Sequence, residues 1–321
     1  MNSLHPSIPP SLQIPPSLHL SISPNPSIPP SLHLSISPYF PTFIPSLKQH
    51  PLKFLLSILS VVFILFLACS PNPYAKTNKA HKRQVKELAK RLRTFPPANS
   101  LDNSLLQSTN SWVGTTNFGL RKPNFVIIHH TAQDSCGQTL RTFTLPRTQV
   151  SAHYVICKDG TIHHMLNDYL RAHHAGIGSW GYDRDLNSSS IGIELDNNGF
   201  ENFPEAQLIS LYRVLDTLKK RHNIPAENII GHGDIAPTRK NDPNWRFPWK
   251  ALSEKGFGRW HGDTTGIIIP ENFDHIMALR LVGFDTKDST ASILAFKRHW
   301  MQDTTLGMTP EAKRILYTLI K

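Results

Sequence analysis

Apolar residues follow strand-like patterns at several places between residues 124 and 260. Residues 125–128 and 229–230 are short apolar runs, and residues 190–196 alternate apolar and polar positions. Short apolar runs and strict alternation are both typical of β-strands. An Asp-Gly pair separates two further β-rich stretches, residues 154–157 and 161–166, and predicts a hairpin.

The apolar period becomes helical after Pro204. Four leucines recur at three- and four-residue spacing up to His222, which predicts an amphipathic helix packed against a sheet. We therefore predict an α/β fold over residues 112–262, with a central mixed β-sheet flanked by helices. About 150 residues are enough for one well-buried domain.

Three more helical patterns occur in the last part of the chain. They cover residues 271–281, 289–300 and 310–320, and Gly283 and Pro310 are suited to a helix end and a helix start. We predict a small three-helix domain over residues 264–321. The alternative is an appendage that only stabilises the preceding domain by packing.

The first part of the chain has a different composition. Residues 1–47 contain no Asp, Glu, Lys or Arg, and one ten-residue string occurs at 15–24 and again at 29–38. Proline at this density prevents helices and ladders, so we predict a disordered Pro/Ser-rich repeat. A repeat of this kind would also arise from untranslated DNA upstream of a gene, which is the alternative.

Residues 48–69 resemble a secretory signal. Lys48 and Lys53 precede an uncharged run of about fifteen mostly apolar residues, which is shorter than a membrane-spanning helix requires. Cys69 follows Leu67 and Ala68, which resembles a bacterial lipoprotein cleavage box and predicts lipidation of Cys69. We expect an exported, periplasmic protein tethered to the outer membrane as a lipoprotein. A short membrane anchor is the alternative.

The net charge of +11 favours an anionic partner or surface. Much of this charge lies in residues 79–93, where helical spacing predicts a basic helix within a linker over residues 70–111. We interpret it as a solvated spacer; the alternative is a helix lying on anionic lipid or wall polymer. Interleaved aromatic residues and nucleic-acid-binding modules are lacking, so no nucleic-acid partner is expected. Cys136 and Cys157 could form one disulfide in an oxidising compartment.

Two segments carry candidate chemistry. His129 directly follows one predicted strand, His232 follows another, and Asp242 comes a short loop after His232. Two imidazoles and one carboxylate with no fourth protein ligand suit a hydrolytic zinc site that has an open position. Histidine is common in this chain, which has 17, but Lys240 and Asp242 lie in a loop with no packing reason to carry them.

With these residues in place, residues 112–260 resemble the zinc-dependent N-acetylmuramoyl-L-alanine amidases, a family that also contains the peptidoglycan recognition proteins. The resemblance rests on the segments around His129, Ser151-Ala-His153-Tyr154, His174-Ala-Gly176, Ser190-Ile-Gly-Ile-Glu194 and 231–243, which occur in the order usual for the family. The chain looks most similar to the membrane-anchored lipoprotein amidases of this family. Their C-terminal peptidoglycan-binding-like domain would correspond to residues 264–321.

The resemblance implies a role for each candidate residue. His129, His232 and Asp242 would bind one Zn²⁺ per chain, Glu194 would be the general base and Lys240 would stabilise the transition state. His153 and His174 would shape the cleft or hold substrate and would not be metal ligands. For Glu194 the alternative is a strand carboxylate in a surface salt bridge.

The implied reaction is hydrolysis of the amide between N-acetylmuramic acid and L-alanine in peptidoglycan or muropeptides, by a chain expected to be monomeric. A non-catalytic peptidoglycan recognition protein is the main alternative, because the same fold performs both tasks. A zinc hydrolase acting on another amide and a purely structural wall-anchoring protein remain as further alternatives.

Overall fold

The computed structural model of the chain describes residues 72–94 and 122–321. The predicted repeat over residues 1–47 and the predicted signal over residues 48–69, including Cys69, lie outside the described residues. Among the residues that are described, no helix combines the length and the apolar character needed to cross a membrane.

The predicted basic helix is present and extends over Ala75–Thr94 (α1). None of its residues is buried, and its last turn carries Arg91 and Arg93. Cations near a helix C-terminus interact favourably with the helix dipole. Since none of its residues is buried, the helix has a solvated surface along its whole length.

In the described part of the chain, five strands form one mixed sheet, which confirms the predicted α/β class. Strand β1 is parallel to β4 and β5, β4 is parallel to β2, and β2 and β3 form the predicted antiparallel hairpin. The sheet order is β3-β2-β4-β1-β5. The strand bounds are Phe125–His130 (β1), Tyr154–Ile156 (β2), Ile162–His164 (β3), Ser190–Leu195 (β4) and Ile229–Gly231 (β5).

Helices lie on both faces of this sheet. The predicted amphipathic helix packs its leucines against Val126 and Ile128, whereas Ile127 packs on the opposite face with Leu186 and Ile235. Successive strand residues point to opposite faces, so one strand supplies both cores. The helix bounds are Cys136–Thr144 (α2), Leu186–Ser189 (α3), Glu205–His222 (α4), His232–Ile235 (α5) and Trp249–Glu254 (α6).

The last part of the chain forms the three expected helices, His275–Val282 (α7), Ser289–Met301 (α8) and Pro310–Ile320 (α9). The first of them begins later than predicted, because the Asp274 side chain accepts the backbone N–H groups of Ile276 and Met277 and thereby caps the helix.

Helix α8 packs directly on the segment that carries His232. His299 Nδ1 lies 2.7 Å from Asp234 Oδ2, and the His299 ring stacks on Trp249 with 3.8 Å between ring centroids. Helix α8 is therefore in contact with α5, the short helix that begins with His232.

Cys136 and Cys157 form a disulfide, with their Cα atoms 5.4 Å apart. The bond joins the first residue of α2 to the residue that follows β2. It closes a loop whose ends are separated by 21 positions in sequence.

Candidate active site

The sheet topology brings the main predicted site residues to one edge. His129 and Glu194 are paired in register near the ends of the parallel strands β1 and β4, and His232 is the first residue after β5. Because the carboxyl ends of parallel strands meet at the same edge of a sheet, these side chains converge. All three are at least nine-tenths buried.

Three potential ligand atoms form a close triangle at this edge. His129 Nδ1 lies 2.9 Å from His232 Nδ1 and 3.0 Å from Asp242 Oδ2, and His232 Nδ1 lies 2.9 Å from the same Asp242 oxygen. The loop after α5 carries Asp242 back to the sheet, where the Gly233 N–H donates to the Asp242 carbonyl oxygen at 2.7 Å. Residues far apart in sequence thus meet around one point.

The positions of the protons on the two histidines suit a cation bound at the centre of the triangle better than hydrogen bonds within it. His232 Nε2 lies 2.9 Å from the Ala175 carbonyl oxygen, which can only accept, so the proton of a neutral ring is on Nε2 and Nδ1 has a free electron pair. His129 Nε2 likewise contacts another residue, His174 Nδ1, at 3.1 Å. Nitrogen and carboxylate donors in this number suit Zn²⁺.

The electrostatics favour the protonation states that metal ligands need. Burial, together with the neighbouring His232, lowers the pKa of His129 to about 4 and keeps the ring neutral. Burial works to raise the pKa of Asp242, but the adjacent His129 and His232 rings outweigh it and hold that pKa well below its usual range. Neutral imidazole and ionised carboxylate are the metal-binding forms of these side chains.

Glu194 lies beside the triangle without joining it. Its Oε1 is 4.0 Å from His129 Nδ1, and its buried Oε2 has no hydrogen-bond partner among the described residues. Burial, with a contribution from the charge of Asp242, raises the pKa of Glu194 to about 8. A buried carboxyl group whose pKa lies near neutrality is suited to taking up and releasing a proton.

Lys240 is close enough to act on the same centre. Its positive charge lowers the pKa of both His129 and Glu194. Its position is set by the loop, in which the Lys240 backbone N–H donates to the Ala236 carbonyl oxygen at 2.9 Å. The alternative for Glu194, a strand carboxylate in a surface salt bridge, does not fit the structure, because Glu194 is buried and none of its ion pairs among the described residues involves a lysine or arginine.

The two histidines expected to contact substrate, His153 and His174, lie outside the triangle of His129, His232 and Asp242. His153 is fully buried, its Nδ1 accepts from the Gly192 N–H at 3.1 Å, and its Nε2 donates to the Leu170 carbonyl oxygen at 2.9 Å. Both ring nitrogens are therefore hydrogen-bonded to backbone groups, and His153 joins the sheet to a loop.

His174 lies behind His129 in the same way. Its ring nitrogens contact His129 Nε2 and Ser190 Oγ, and burial lowers the pKa of His174 well below its usual value. These contacts place both rings against protein atoms, and substrate contact by His153 and His174 stays a prediction. For His174 the sequence could not show this, because the doublet His173-His174 does not indicate which ring turns inward.

Asn187 and Ser190, which the sequence did not mark as site residues, hold His174 and Ala175 in position. The Asn187 side-chain oxygen accepts the backbone N–H groups of His174 and Ala175, and Ser190 Oγ lies 3.3 Å from His174 Nε2. Ser190 was part of a recognised strand pattern, but nothing in the sequence marked Asn187. Its importance comes from contacts more than ten residues away along the chain.

The chain is similar to proteins of one known family. A family model described as N-acetylmuramoyl-L-alanine amidase matches residues 119–245. N-acetylmuramoyl-L-alanine amidase AmiD of Escherichia coli K12 is 31% identical over 206 residues, which cover 59% of this chain and 70% of the relative. The 1,6-anhydro-N-acetylmuramyl-L-alanine amidase AmpD of Haemophilus influenzae is 37% identical over 103 residues, or 32% of this chain and 56% of the relative.

Solved structures give the same picture at the level of the fold. The complex of E. coli AmiD with the substrate anhydro-N-acetylmuramic acid-L-Ala-D-gamma-Glu-L-Lys aligns with a TM-score of 0.57 and 28% identity, covering 64% of this chain and 92% of that one. AmpDh3 of Pseudomonas aeruginosa in complex with anhydromuramic pentapeptide has the same TM-score and identity and covers 67% of this chain and 97% of that one.

Proposed function

The chain belongs to the N-acetylmuramoyl-L-alanine amidase family, and on this premise we propose that it hydrolyses its substrate with one zinc ion held by His129, His232 and Asp242. The reaction separates N-acetylmuramic acid from the L-alanine of the stem peptide. The observation that supports the proposal most strongly is the buried triangle of ligand atoms, none more than 3.0 Å from the next.

The donor set fits zinc in number and in chemistry. His129 and His232 as neutral imidazoles and Asp242 as a carboxylate would hold the ion, and three protein ligands are the number found in hydrolytic zinc sites. When bound, zinc supplies a Lewis acid that polarises the scissile carbonyl and makes water a stronger acid.

Glu194 is the proposed proton carrier. Its Oε1 lies 4.0 Å from His129 Nδ1, and the carboxylate takes one proton from the attacking water as the new C–O bond forms. When the C–N bond breaks, the same carboxyl group returns the proton to the departing amino group of L-alanine. The Glu194 carboxylate is thereby regenerated, and the net result is transfer of one proton from water to the amino group.

Lys240 is the proposed stabiliser of the oxyanion. As the carbonyl carbon becomes tetrahedral, its oxygen gains negative charge, and a fixed ammonium group in a partly water-free site lowers the energy of that state. Ligand and stabiliser come from one loop, since Lys240 is two residues before Asp242. Any change in that loop would affect both.

The substrate class proposed is peptidoglycan or its soluble fragments. Two relatives of solved structure hold anhydro-muramic peptides, which supports muropeptides as ligands of this chain. We propose that the amidase domain covers residues 112–262 and that residues 264–321 add peptidoglycan contacts to the packing on α5.

The proposed location is the periplasm. Export by residues 48–69 and lipidation at Cys69 would tether the enzyme to the outer membrane, and the Cys136–Cys157 disulfide suits an oxidising compartment. Helix α1 and the rest of residues 70–111 would then separate the enzyme from its tether.

Metal analysis followed by incubation with purified sacculi tests this function. The wild-type chain should contain one zinc ion and release free stem peptide, and His129→Ala should lose both properties. A zinc-loaded chain that binds sacculi and releases no peptide would instead identify a peptidoglycan recognition protein.

A further inference from the structure

Two adjacent residues contact the outer nitrogens of both proposed zinc-binding histidines. His174 Nδ1 lies 3.1 Å from His129 Nε2, and the Ala175 carbonyl oxygen lies 2.9 Å from His232 Nε2. In each imidazole, the nitrogen that faces away from Asp242 is thus held by the same dipeptide. The orientation of both rings depends on where that dipeptide lies.

The dipeptide is itself held by residues 186–190. Asn187 Oδ1 accepts the backbone N–H groups of His174 at 3.0 Å and Ala175 at 2.9 Å. Ser190 Oγ lies 3.3 Å from His174 Nε2 and also contacts the Leu186 carbonyl oxygen. Helix α3 and the first residue of β4 therefore hold the backbone of the dipeptide and the His174 ring.

The contacts fix a direction for every proton in this chain of bonds. The Leu186 carbonyl can only accept, so Ser190 donates its hydroxyl proton there and accepts from His174 Nε2. The His174 Nδ1 atom is then an acceptor, which places a proton on His129 Nε2 and leaves a free electron pair on His129 Nδ1. The tautomer of His129 that metal binding requires is thus determined by Ser190, the second residue along this chain of hydrogen bonds.

Strand β4 leaves room for this arrangement. Gly192 pairs with Ile127 in the strand register, two positions before Glu194, and a Cβ atom on Gly192 would clash with the His174 ring. On this face of β4, Ser190 binds the ring, Gly192 admits it and Glu194 lies beside the zinc ligands. All three residues on this face of β4 therefore border the site and not an apolar core.

We propose that residues 186–190, acting through His174 and Ala175, set the tautomer and the orientation of both zinc-binding histidines. Asn187 and Ser190 are positioning residues, since neither contacts the ligand triangle itself. This inference rests on the proposed function, because it assigns a purpose to contacts around a zinc site. Outer partners of metal ligands typically contribute about 10- to 100-fold to metal affinity.

A matched pair of substitutions at Asn187 tests the proposal. Asn187→Asp keeps an oxygen that can accept both N–H groups, whereas Asn187→Leu has a similar size and no acceptor. In the full chain, zinc affinity measured by competition with a chromophoric chelator should fall about 10- to 100-fold in Asn187→Leu. It should remain within a few-fold of wild type in Asn187→Asp.

The pair Ser190→Ala and Ser190→Thr gives an independent test that applies even if Asn187→Leu does not fold. Zinc affinity should fall in the alanine variant and be retained in the threonine variant, while thermal unfolding of the metal-free chains shows whether both are folded. Equal zinc affinity in wild type, Asn187→Leu and Ser190→Ala would overturn this inference alone. A wild-type chain that binds no zinc would overturn the proposed function and this inference with it.

Discussion

Glu194 and His129 occupy paired positions on the parallel strands β4 and β1, and Glu194 Oε1 lies 4.0 Å from His129 Nδ1. Parallel pairing in this register places the proposed proton carrier and a proposed metal ligand side by side without a flexible loop between them. The two roles are nevertheless separate, because the Glu194 carboxylate takes no part in the triangle of His129, His232 and Asp242.

This separation predicts different losses for different substitutions. Glu194→Gln keeps the size of the side chain and removes the proton acceptor, so kcat should fall about 100-fold or more while zinc content stays at the wild-type level. Steady-state kinetics and metal analysis of the same preparation check both parts. Glu227→Gln, at an exposed position, is the matched control. Loss of zinc from Glu194→Gln would show that Glu194 is a ligand and not the base.

Lys240 should act on the transition state more than on binding. Lys240→Met removes the charge and keeps most of the apolar stem, so kcat should fall about 100- to 1000-fold with KM little changed. The exposed Lys250→Met provides the matched control. A variant with normal kcat and raised KM would instead place Lys240 in ground-state substrate binding.

The buried carboxylate of Asp168 predicts a pH-dependent stability. It accepts from Tyr154 Oη at 2.8 Å, Arg221 at 3.0 Å and His222 at 2.9 Å, and His164 lies 3.4 Å away. Burial works to raise the pKa of Asp168, but the hydrogen bonds from His222, Tyr154 and Arg221 outweigh it and lower that pKa below the usual value. The folded state therefore favours the ionised form.

The stabilisation from this carboxylate is present above a pH of about 4 and is lost as the pH falls through the lowered pKa. Asp168→Asn should reduce the free energy of unfolding by about 1.5–3 kcal/mol at pH 7. Urea unfolding at several pH values should show the difference from wild type shrinking below a pH of about 4. A difference that grows on acidification would contradict the assigned sign.

The Cys136–Cys157 disulfide closes a loop with a sequence separation of 21. Chain-entropy reasoning gives a stabilisation of about 3 kcal/mol for a loop of this length. The double substitution to serine should lower the free energy of unfolding by this amount in urea, and reduction of the wild-type chain should have the same effect. Wild-type stability unchanged by complete reduction would refute this prediction.

The sequence predicted the sheet and the ligand triangle well for a physical reason. Apolar runs before His129 and His232 mark buried strands, and parallel strands carry the residues at their ends to one edge. Alternation in β4 also places Glu194 on the face opposite the apolar residues of that strand, whereas its pairing with His129 is set by the strand register. The position of a strand and the face on which each side chain lies can both be read from a few neighbouring residues.

Other elements could not be predicted because their causes are not local. Helix α2 contains Gly137 and three threonines, which are poor helix formers, and it begins at a Ser135 cap and a disulfide to Cys157. The inward positions of His153 and His174 depend on partners such as Leu170, Asn187 and Ser190. Sequence spacing does not show which of several histidines will find such partners.

Product analysis on a defined anhydro-muropeptide in ¹⁸O-labelled water tests the central claim most directly. The zinc-loaded chain should release a peptide with a free L-alanine amino group and a sugar whose lactyl carboxylate carries one ¹⁸O atom, as mass spectrometry would show. Cleavage at any other bond, or an intact substrate in the presence of the folded, zinc-loaded chain, would contradict it.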